Sequence, residues 1–272
     1  RMWEHDSTKN NLQTLKKFGY KIIGPVVGDM ACGEYGEGKM SSPLDIFDTI
    51  HNFLSKHEKN KKVKALVTAG PTNEYIDPVR FITNKSSGKQ GYEIAKSLSK
   101  RGFDTTLISG PTNLDIDDNI NLIKVETAEE MFKATQKNLP SDIAIFSAAV
   151  SDFKVTEKKK DKIKKQENIT INLEKNIDIL AYVSNHNSMR PKLVIGFAAE
   201  TIDLEKNAIS KLTSKNCDWI IANDISKRNS GFESDYNEVT IYYNNNKKEK
   251  LSHKKKSEIS EEIVDRIVNQ MN

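Results

Sequence analysis

Between Val63 and Gly91 the chain reads VKALVTAGPTNEYIDPVRFITNKSSGKQG. Arg80, Asn84 and Lys89 supply the donors and positive charge that an anionic ligand needs, and Ser86-Ser87-Gly88-Lys89-Gln90-Gly91 is punctuated by glycine. The stretch opens on the apolar Ala65-Leu66-Val67, breaks at Gly70-Pro71, and resumes with Ile94, Ala95 and Leu98 at helical spacing. The order is strand, glycine-bearing loop, helix. It sets backbone N–H groups and the positive end of a helix beside the carboxyl end of a strand, where phosphates and carboxylates bind. Neither GxGxxG nor the GxxxxGK(S/T) loop is present, so neither common nucleotide motif accounts for it.

Two further cationic features stand apart from this stretch. Lys211 and Lys215 are four residues apart, which on one helix face points two ammonium groups at one anion, with a surface salt-bridge stripe as an equal competitor. Lys158 to Lys165 reads KKKDKIKK, and on composition alone such a run is a solvated loop.

From Val63 onward strands and helices alternate. Strands are predicted at Val63–Ala69, Phe103–Ser109, Asn121–Val125, Asp142–Ser147, Lys192–Phe197 and Asp218–Ala222. Helices are predicted at Gly88–Arg101, from Thr127 (with Glu130 as a capping box), at Ile177–Asn185, at Asp203–Lys215 and at Lys254–Met271. This alternation implies an α/β, Rossmann-like, doubly wound and mostly parallel sheet with helices on both faces. Two β-hairpins are added to it. One holds Ile169, Ile171 and Leu173 after the lysine run, and the other joins Glu238–Tyr243 to Lys248–Leu251 through Asn244-Asn245-Asn246. Ligands of such sheets lie off the carboxyl strand ends. Those ends are Thr68-Ala69-Gly70, Ser147-Ala148-Ala149, Gly196-Phe197-Ala198-Ala199 and Ala222-Asn223-Asp224, all small or polar apart from Phe197.

Residues 1–60 read as a separate preface, with 61–272 as the main domain. A short helix around Asn11–Leu15 ends at Gly19, a strand is expected at Tyr20–Gly24, and Ser42-Pro43 opens a helix to about Leu54. Ala31 to Met40, ACGEYGEGKM, is glycine-rich and expected to be a mobile loop, and His57–Lys62 a linker.

Bulk properties narrow the classes. The 272 residues are 36% hydrophobic and 29% charged, with net charge +4, enough to bury a core. The lysines are interleaved with carboxylates, which argues against nucleic acid as a partner. No apolar run approaches the roughly 20 residues of a membrane span. Two cysteines, Cys32 and Cys217, are too few for a disulfide framework and point to a reducing cytoplasm.

The run AGPTNEYIDPVRFITNKSSGKQG closely resembles the signature of phosphopantothenoylcysteine synthetase, the ligase half of a bifunctional coenzyme A biosynthesis flavoprotein. The likeness continues to the C-terminus through FSAAVSD (146–152), KIKK (162–165), NIDIL (176–180), GFAAET (196–201) and ANDIS (222–226). Isoleucine at 177 replaces the family's usual proline. The resemblance implies phosphopantothenate, cysteine and CTP as substrates, Mg²⁺ with the triphosphate, and a homodimer. It names no metal ligands.

By the same resemblance Gly70, Ser86, Ser87, Gly88 and Lys89 cradle phosphate. Phe146, Ser147 and Ala148 contact the nucleotide, and Asp152 its ribose. Asn176, Ile177, Asp178 and Ile179 read the base, and Lys162, Phe197, Lys211 and Lys215 complete the nucleotide site. Lys162 stabilises charge on the acyl phosphate, Asn84 holds the acyl intermediate, and Arg80 and Ala149 meet phosphopantothenate.

ACGEYGEGKM resembles the active-site flap of the decarboxylase half, with Cys32 as its acid. Residues 1–60 are therefore expected to be a C-terminal remnant of that half. The chain, opening on Arg1-Met2-Trp3, is read as a piece of a longer protein. FMN, decarboxylation and a larger homo-oligomer are expected of that parent and not of this chain.

Two other classes compete. A pyridine-nucleotide oxidoreductase on this fold requires a glycine fingerprint after the first strand, where Ala69-Gly70-Pro71-Thr72 stands instead. A nucleotide-binding module without turnover is the second, and the polar set Asn84, Asp152, Lys162, Lys211 and Lys215 weighs against it.

Overall fold

The computed structural model describes residues 3–29, 33, 35–60, 62–165, 168–224 and 234–271. It divides into two units, Arg1–Lys61 and Lys62–Asn272.

The first unit carries helix α1 (Asp6–Lys17), strands β1 (Val26–Asp29) and β2 (Tyr35–Lys39), and helix α2 (Pro43–Asn60). No strand forms at Tyr20–Gly24. Strand structure starts after Pro25, because Gly24 has a φ of +76° and proline offers no N–H to a ladder. The expected loop through Tyr35–Lys39 is instead β2, antiparallel to β1. Helix α2 continues past Leu54 through the charged stretch, which holds no glycine or proline to stop it. Ser42 starts it by accepting from the Asp45 N–H at 3.1 Å. Cys32 lies outside the described residues. Among the residues of this unit outside 51–60, Ser41 alone of those described is buried.

The second unit is the α/β domain. Its elements are β3 (Lys64–Ala69), β4 (Asn73–Tyr75), β5 (Phe81–Thr83), α3 (Lys89–Lys100), β6 (Asp104–Ser109), β7 (Asn121–Lys124) and α4 (Ala128–Lys137). Then come β8 (Ile143–Phe146), β9 (Phe153–Val155), β10 (Leu173–Lys175), α5 (Ile179–Ser184), β11 (Leu193–Glu200), α6 (Leu204–Lys215) and β12 (Trp219–Asp224). The unit closes with β13 (Tyr236–Tyr243), β14 (Lys248–Lys255) and α7 (Lys256–Met271).

Eight strands form one sheet in the order β14-β13-β12-β11-β8-β3-β6-β7. From β12 to β7 every pairing is parallel, and β13 and β14 are antiparallel additions. Period-two alternation splits the core between two faces. Ala65, Val67, Ile143, Ile145, Ile195 and Ile221 pack with Tyr92, Ile94 and Leu98 of α3 and with Ile259, Ile263 and Ile267 of α7. Leu66, Ala144, Val194 and Ile220 pack on the other face with Met131 of α4, Val183 of α5, and Ala208 and Leu212 of α6.

The chain leaves β3 for β6 and β7 on one side and returns through β8 to β11 and β12 on the other. The order therefore reverses between β3 and β8, where a doubly wound sheet opens a crevice. The capping box at α4 is real but offset. Thr127 Oγ1 accepts from the Glu130 N–H at 3.2 Å, whereas the Glu130 carboxylate accepts from the N–H of Glu126 at 2.8 Å. Two short hairpins lie outside the sheet, β4–β5 and β9–β10. The first was read as loop, because three-residue strands carry no periodicity. In the second, only Leu173 of the expected alternating residues enters a strand.

Candidate active site

At the order reversal the carboxyl ends of β3, β8 and β11 open into a cavity of about 700 Å³. Thr68, Phe146 and Gly196 are register partners across the three strands, so the ends are level. The chain after each strand is stitched to its neighbour. Ser147 Oγ donates to Thr68 O at 2.7 Å, and the Ala149 N–H donates to Gly70 O at 2.9 Å.

The glycine-bearing loop forms one wall through Ser86, Ser87, Gly88 and Lys89, with Asn84 just before it. Gly88 sits at φ +73° at the start of α3, which no side chain caps. A Cβ on Gly88 would come within 3.3 Å of the Gly70 backbone, and one on Gly91 within 2.6 Å of Ala69 Cβ. Only glycine lets this helix begin so close to the sheet. Gly70 thus underlies the loop rather than lining the cavity.

The opposite wall comes from three sources. Ser147, Ala148, Ala149 and Asp152 follow β8, and Asn176, Ile177, Asp178 and Ile179 lead into α5. Phe146, Phe197, Lys211 and Lys215 come from β8, β11 and α6. The two lysines of α6 do not share one partner. Lys211 Nζ lies 2.7 Å from Glu200 Oε1, and Lys215 pairs with Asp178. Asp178 also caps α5, accepting from the Ala181 N–H at 2.9 Å. Asn84 Nδ2 donates to Val150 O at 3.0 Å, which ties the loop before α3 to the segment after β8. The buried Nδ2 of Asn176 has no hydrogen-bond partner among the described residues, so the wall holds a donor awaiting an acceptor.

The sequence model of the DNA/pantothenate metabolism flavoprotein C-terminal domain matches residues 60–271. The chain belongs to this family. It is 42% identical over 269 residues to the coenzyme A biosynthesis bifunctional protein CoaBC of Haemophilus influenzae, covering 98% of this chain and 66% of that protein. The CoaBC protein of Vibrio cholerae is 43% identical over 247 residues, covering 89% of this chain and 61% of its own length. The chain thus spans just under two thirds of these curated relatives. A crystal structure of the C-terminal domain of a CoaBC protein superposes with a TM-score of 0.65 and 36% identity, covering 77% of this chain and 95% of that one.

The flavoprotein family model matches residues 1–55. This corrects the reading of the preface as a remnant. The segment is matched as flavoprotein sequence directly ahead of the DNA/pantothenate metabolism flavoprotein C-terminal domain, which is the family order of decarboxylase first and ligase second.

Within this C-terminal domain, Arg80 and Lys162 stand outside the cavity wall, on a second platform. Its centre is Asp77, fully enclosed on the turn between β4 and β5. Asp77 accepts from the N–H groups of Val79 and Arg80 at 2.8 Å each and of Ile163 at 3.1 Å. The Arg80 guanidinium lies 3.2 Å from Oδ2, the oxygen that also accepts from Ile163, and reaches Ile163 O at 3.4 Å. Enclosure pushes the Asp77 pKa up, but the amides of Val79, Ile163 and Arg80, together with the Arg80 charge, outweigh it and hold the carboxyl below the usual carboxylate range. The Lys159 N–H bonds Ile76 O at 2.9 Å, and Lys158 Nζ sits 4.8 Å above the Tyr75 ring. Every lysine of the run is exposed, and the β4–β5 hairpin tethers it.

The sequence reading missed three groups. Asp77 anchors both Arg80 and the lysine run, and its cue was the Asp-Pro turn, where an Asp side chain accepts from N–H groups two and three residues on. Asp235 pairs with Lys89 at 2.5 Å, and that hydrogen bond lowers its pKa. Lys256 lines the cavity from the first residue of α7. Cys217 is buried, and burial pushes its thiol up to about 12, so it is not a nucleophile. Among the described residues no cluster of three or more His, Cys, Asp or Glu is placed to hold a metal, and no helix is long and apolar enough to cross a membrane.

Proposed function

We propose that the C-terminal unit is the phosphopantothenate–cysteine ligase of coenzyme A biosynthesis, using CTP. One observation carries the reading. A single cavity at the switch point of a parallel sheet joins a carboxamide, Asn84, to the cations Lys89, Lys211, Lys215 and Lys256 and to the unpartnered donor of Asn176. That combination suits a nucleoside triphosphate held beside a reacting acyl group.

A carboxylate is a poor electrophile and must be activated. The phosphopantothenate carboxylate oxygen attacks the α-phosphorus of CTP. The bond from that phosphorus to the bridging oxygen breaks, and pyrophosphate leaves. The cysteine amine then attacks the acyl carbon, the acyl–oxygen bond breaks, CMP leaves, and the ammonium proton passes to solvent. Mg²⁺ enters as part of the substrate, bound to the triphosphate.

The wall cations and the start of α3 hold the phosphates. Asn176 and its neighbours read the base, Asp152 the ribose, and Phe197 packs against the nucleotide. Asn84 steadies the acyl group, Ala149 faces phosphopantothenate, and Arg80, outside this cavity, meets phosphopantothenate across a dimer interface. Lys162 acts from the lysine loop once that loop closes over the bound substrates, where a positioned cation lowers the cost of developing charge. Exposed Val79, Phe81, Phe153, Ile171 and Leu173 on the two outlying hairpins support a homodimer. A cytoplasmic setting, and a larger assembly for a longer parent, belong to the same reading.

FMN is the cofactor expected of that longer parent. The described part of the first unit is two helices and a two-stranded ribbon, which on their own do not enclose a flavin ring, and no step is routed through it.

The test is pyrophosphate release with phosphopantothenate and Mg²⁺, using CTP or ATP, with and without cysteine, on wild type and Asn84→Asp. Release with CTP and not ATP, and loss of cysteine-dependent CMP release in the variant, is the expected result. No release from folded protein with either nucleotide would leave a binding module without turnover.

A further inference from the structure

Tyr92 is the fourth residue of α3, buried in the apolar core at 2% exposure, and it carries a hydroxyl where phenylalanine would fill the same space. Its N–H bonds Gly88 O at 3.2 Å and so closes the first turn of the helix. The hydroxyl belongs to a chain with one direction. Thr112 Oγ1 donates to Tyr92 Oη at 2.9 Å, Tyr92 Oη to Ser109 Oγ at 3.0 Å, and Ser109 Oγ to Gly110 O at 2.8 Å. Each hydroxyl gives its one proton, and bonds in series strengthen one another. Ser109 ends β6, so the chain ties the start of α3 to the turn after β6.

The same threonine meets the glycines with its methyl. A Cβ on Gly88 would come within 2.8 Å of Thr112 Cγ2, and one on Gly70 within 2.9 Å of that methyl and 3.1 Å of Gly110 O. The Gly110 N–H donates to Ala69 O at 2.9 Å, and a Cβ on Gly110 would fall 1.7 Å from Pro71 O. Three segments thus close on one side chain: the turn after β3, the loop before α3 and the turn after β6. Ser86, Ser87, Gly88 and Lys89 line the cavity, whereas Tyr92 and Thr112 stand behind them and are not among the described residues that line it. Phenylalanine and valine would occupy the same space at little cost in stability, because paired hydroxyls contribute little net. What the hydroxyls add is a fixed distance and direction.

We propose that Thr112 and Tyr92 are positioning residues for the triphosphate. They touch no substrate; they hold residues 86–89, and the N–H groups that begin α3, at the separation from the opposite wall that the phosphates require. The assignment rests on the ligase reading. A phosphate is held by several short contacts made at once, so a small displacement of this loop weakens all of them together.

Steady-state kinetics and calorimetry on wild type, Thr112→Val, Thr112→Ser, Tyr92→Phe and the Thr112→Val/Tyr92→Phe double variant test this. Phosphopantothenate, cysteine and Mg²⁺·CTP (or Mg²⁺·ATP, if the wild type turns that over instead) are varied in turn. Thr112→Val keeps a methyl against the glycines and loses the hydroxyl. In Thr112→Val and Tyr92→Phe, KM and Kd for the nucleotide should rise about tenfold, with KM for cysteine and saturated kcat within about twofold. The double variant should rise no further than the worse single one, because both cut one chain. Thr112→Ser keeps the hydroxyl and should recover most of the nucleotide affinity. Residues that only held the fold would lower the active fraction, and with it kcat, and leave every KM where it was.

Folded Thr112→Val and Tyr92→Phe variants with nucleotide KM within twofold of a wild type that turns over overturn the positioning role and leave the ligase reading standing. A rise in the phosphopantothenate KM in place of the nucleotide KM overturns the assignment to the triphosphate. Tyr92→Phe, which removes one oxygen, decides if Thr112→Val does not fold. A wild type that binds neither nucleotide and releases no pyrophosphate removes the ligase reading and the positioning role with it.

Discussion

The domain carries two cationic regions built on different principles. Lys89, Lys211, Lys215 and Lys256 start from helices packed on the sheet, and their positions are as rigid as the core beneath them. Arg80 and the run from Lys158 to Lys165 start from a hairpin and a loop outside the sheet, and one enclosed carboxylate, Asp77, ties the two. A charge fixed by a sheet suits ground-state binding. A charge fixed by one side chain can move as a unit, which suits a group needed only when charge develops.

Five substitutions break or sharpen this contrast. Lys162→Gln should have the largest effect, lowering turnover by about 100-fold or more while CTP affinity stays within threefold, measured by pyrophosphate release and calorimetry. A collapse of CTP affinity instead would erase the distinction between the regions. Asp77→Asn removes the charge that holds Arg80 and weakens the acceptor for Ile163, so turnover should fall about tenfold. Combined with Lys162→Gln it should add little, because both act through one loop. Lys211→Ala and Lys215→Ala should each raise the Kd for CTP by about fivefold to tenfold, with saturated turnover within threefold. The smallest effect serves as the control. Thr127→Ala removes the cap of α4, outside the cavity but beside the β4–β5 hairpin, and should cost about 1 kcal/mol in chemical denaturation with CTP affinity unchanged.

The sheet was legible in the sequence because its strands are near-continuous apolar runs ending in small residues, as in Ile143–Phe146 before Ser147. The glycine-bearing loop was legible for a related reason, since close backbone approach demands glycine at 88 and 91. What escaped depends on tertiary neighbours. Lys254 and Lys255 precede the last helix and Lys256 opens it, and composition does not say which of the three is enclosed. The available clue was that Lys256 stands three, seven and eleven residues before Ile259, Ile263 and Ile267. The sequence does not single out Asp77, because its partner Ile163 is 86 positions away. Lys211 and Lys215 share a helix face as their spacing implied, but each meets its own carboxylate, which spacing cannot foretell.

The margins of the eight-stranded sheet have a consequence for how the protein behaves at high concentration. At one margin, β14 places Lys248, Lys250, Lys254 and Lys255 along its length; at the other, β7 is only four residues long. A strand from another molecule that tried to extend the sheet would have to desolvate charged side chains on one side, three of these lysines being paired with Glu205, Glu238 and Glu262, and would find too short a ladder on the other. The same apolar strands that make the core so readable are thus kept from templating fibrils.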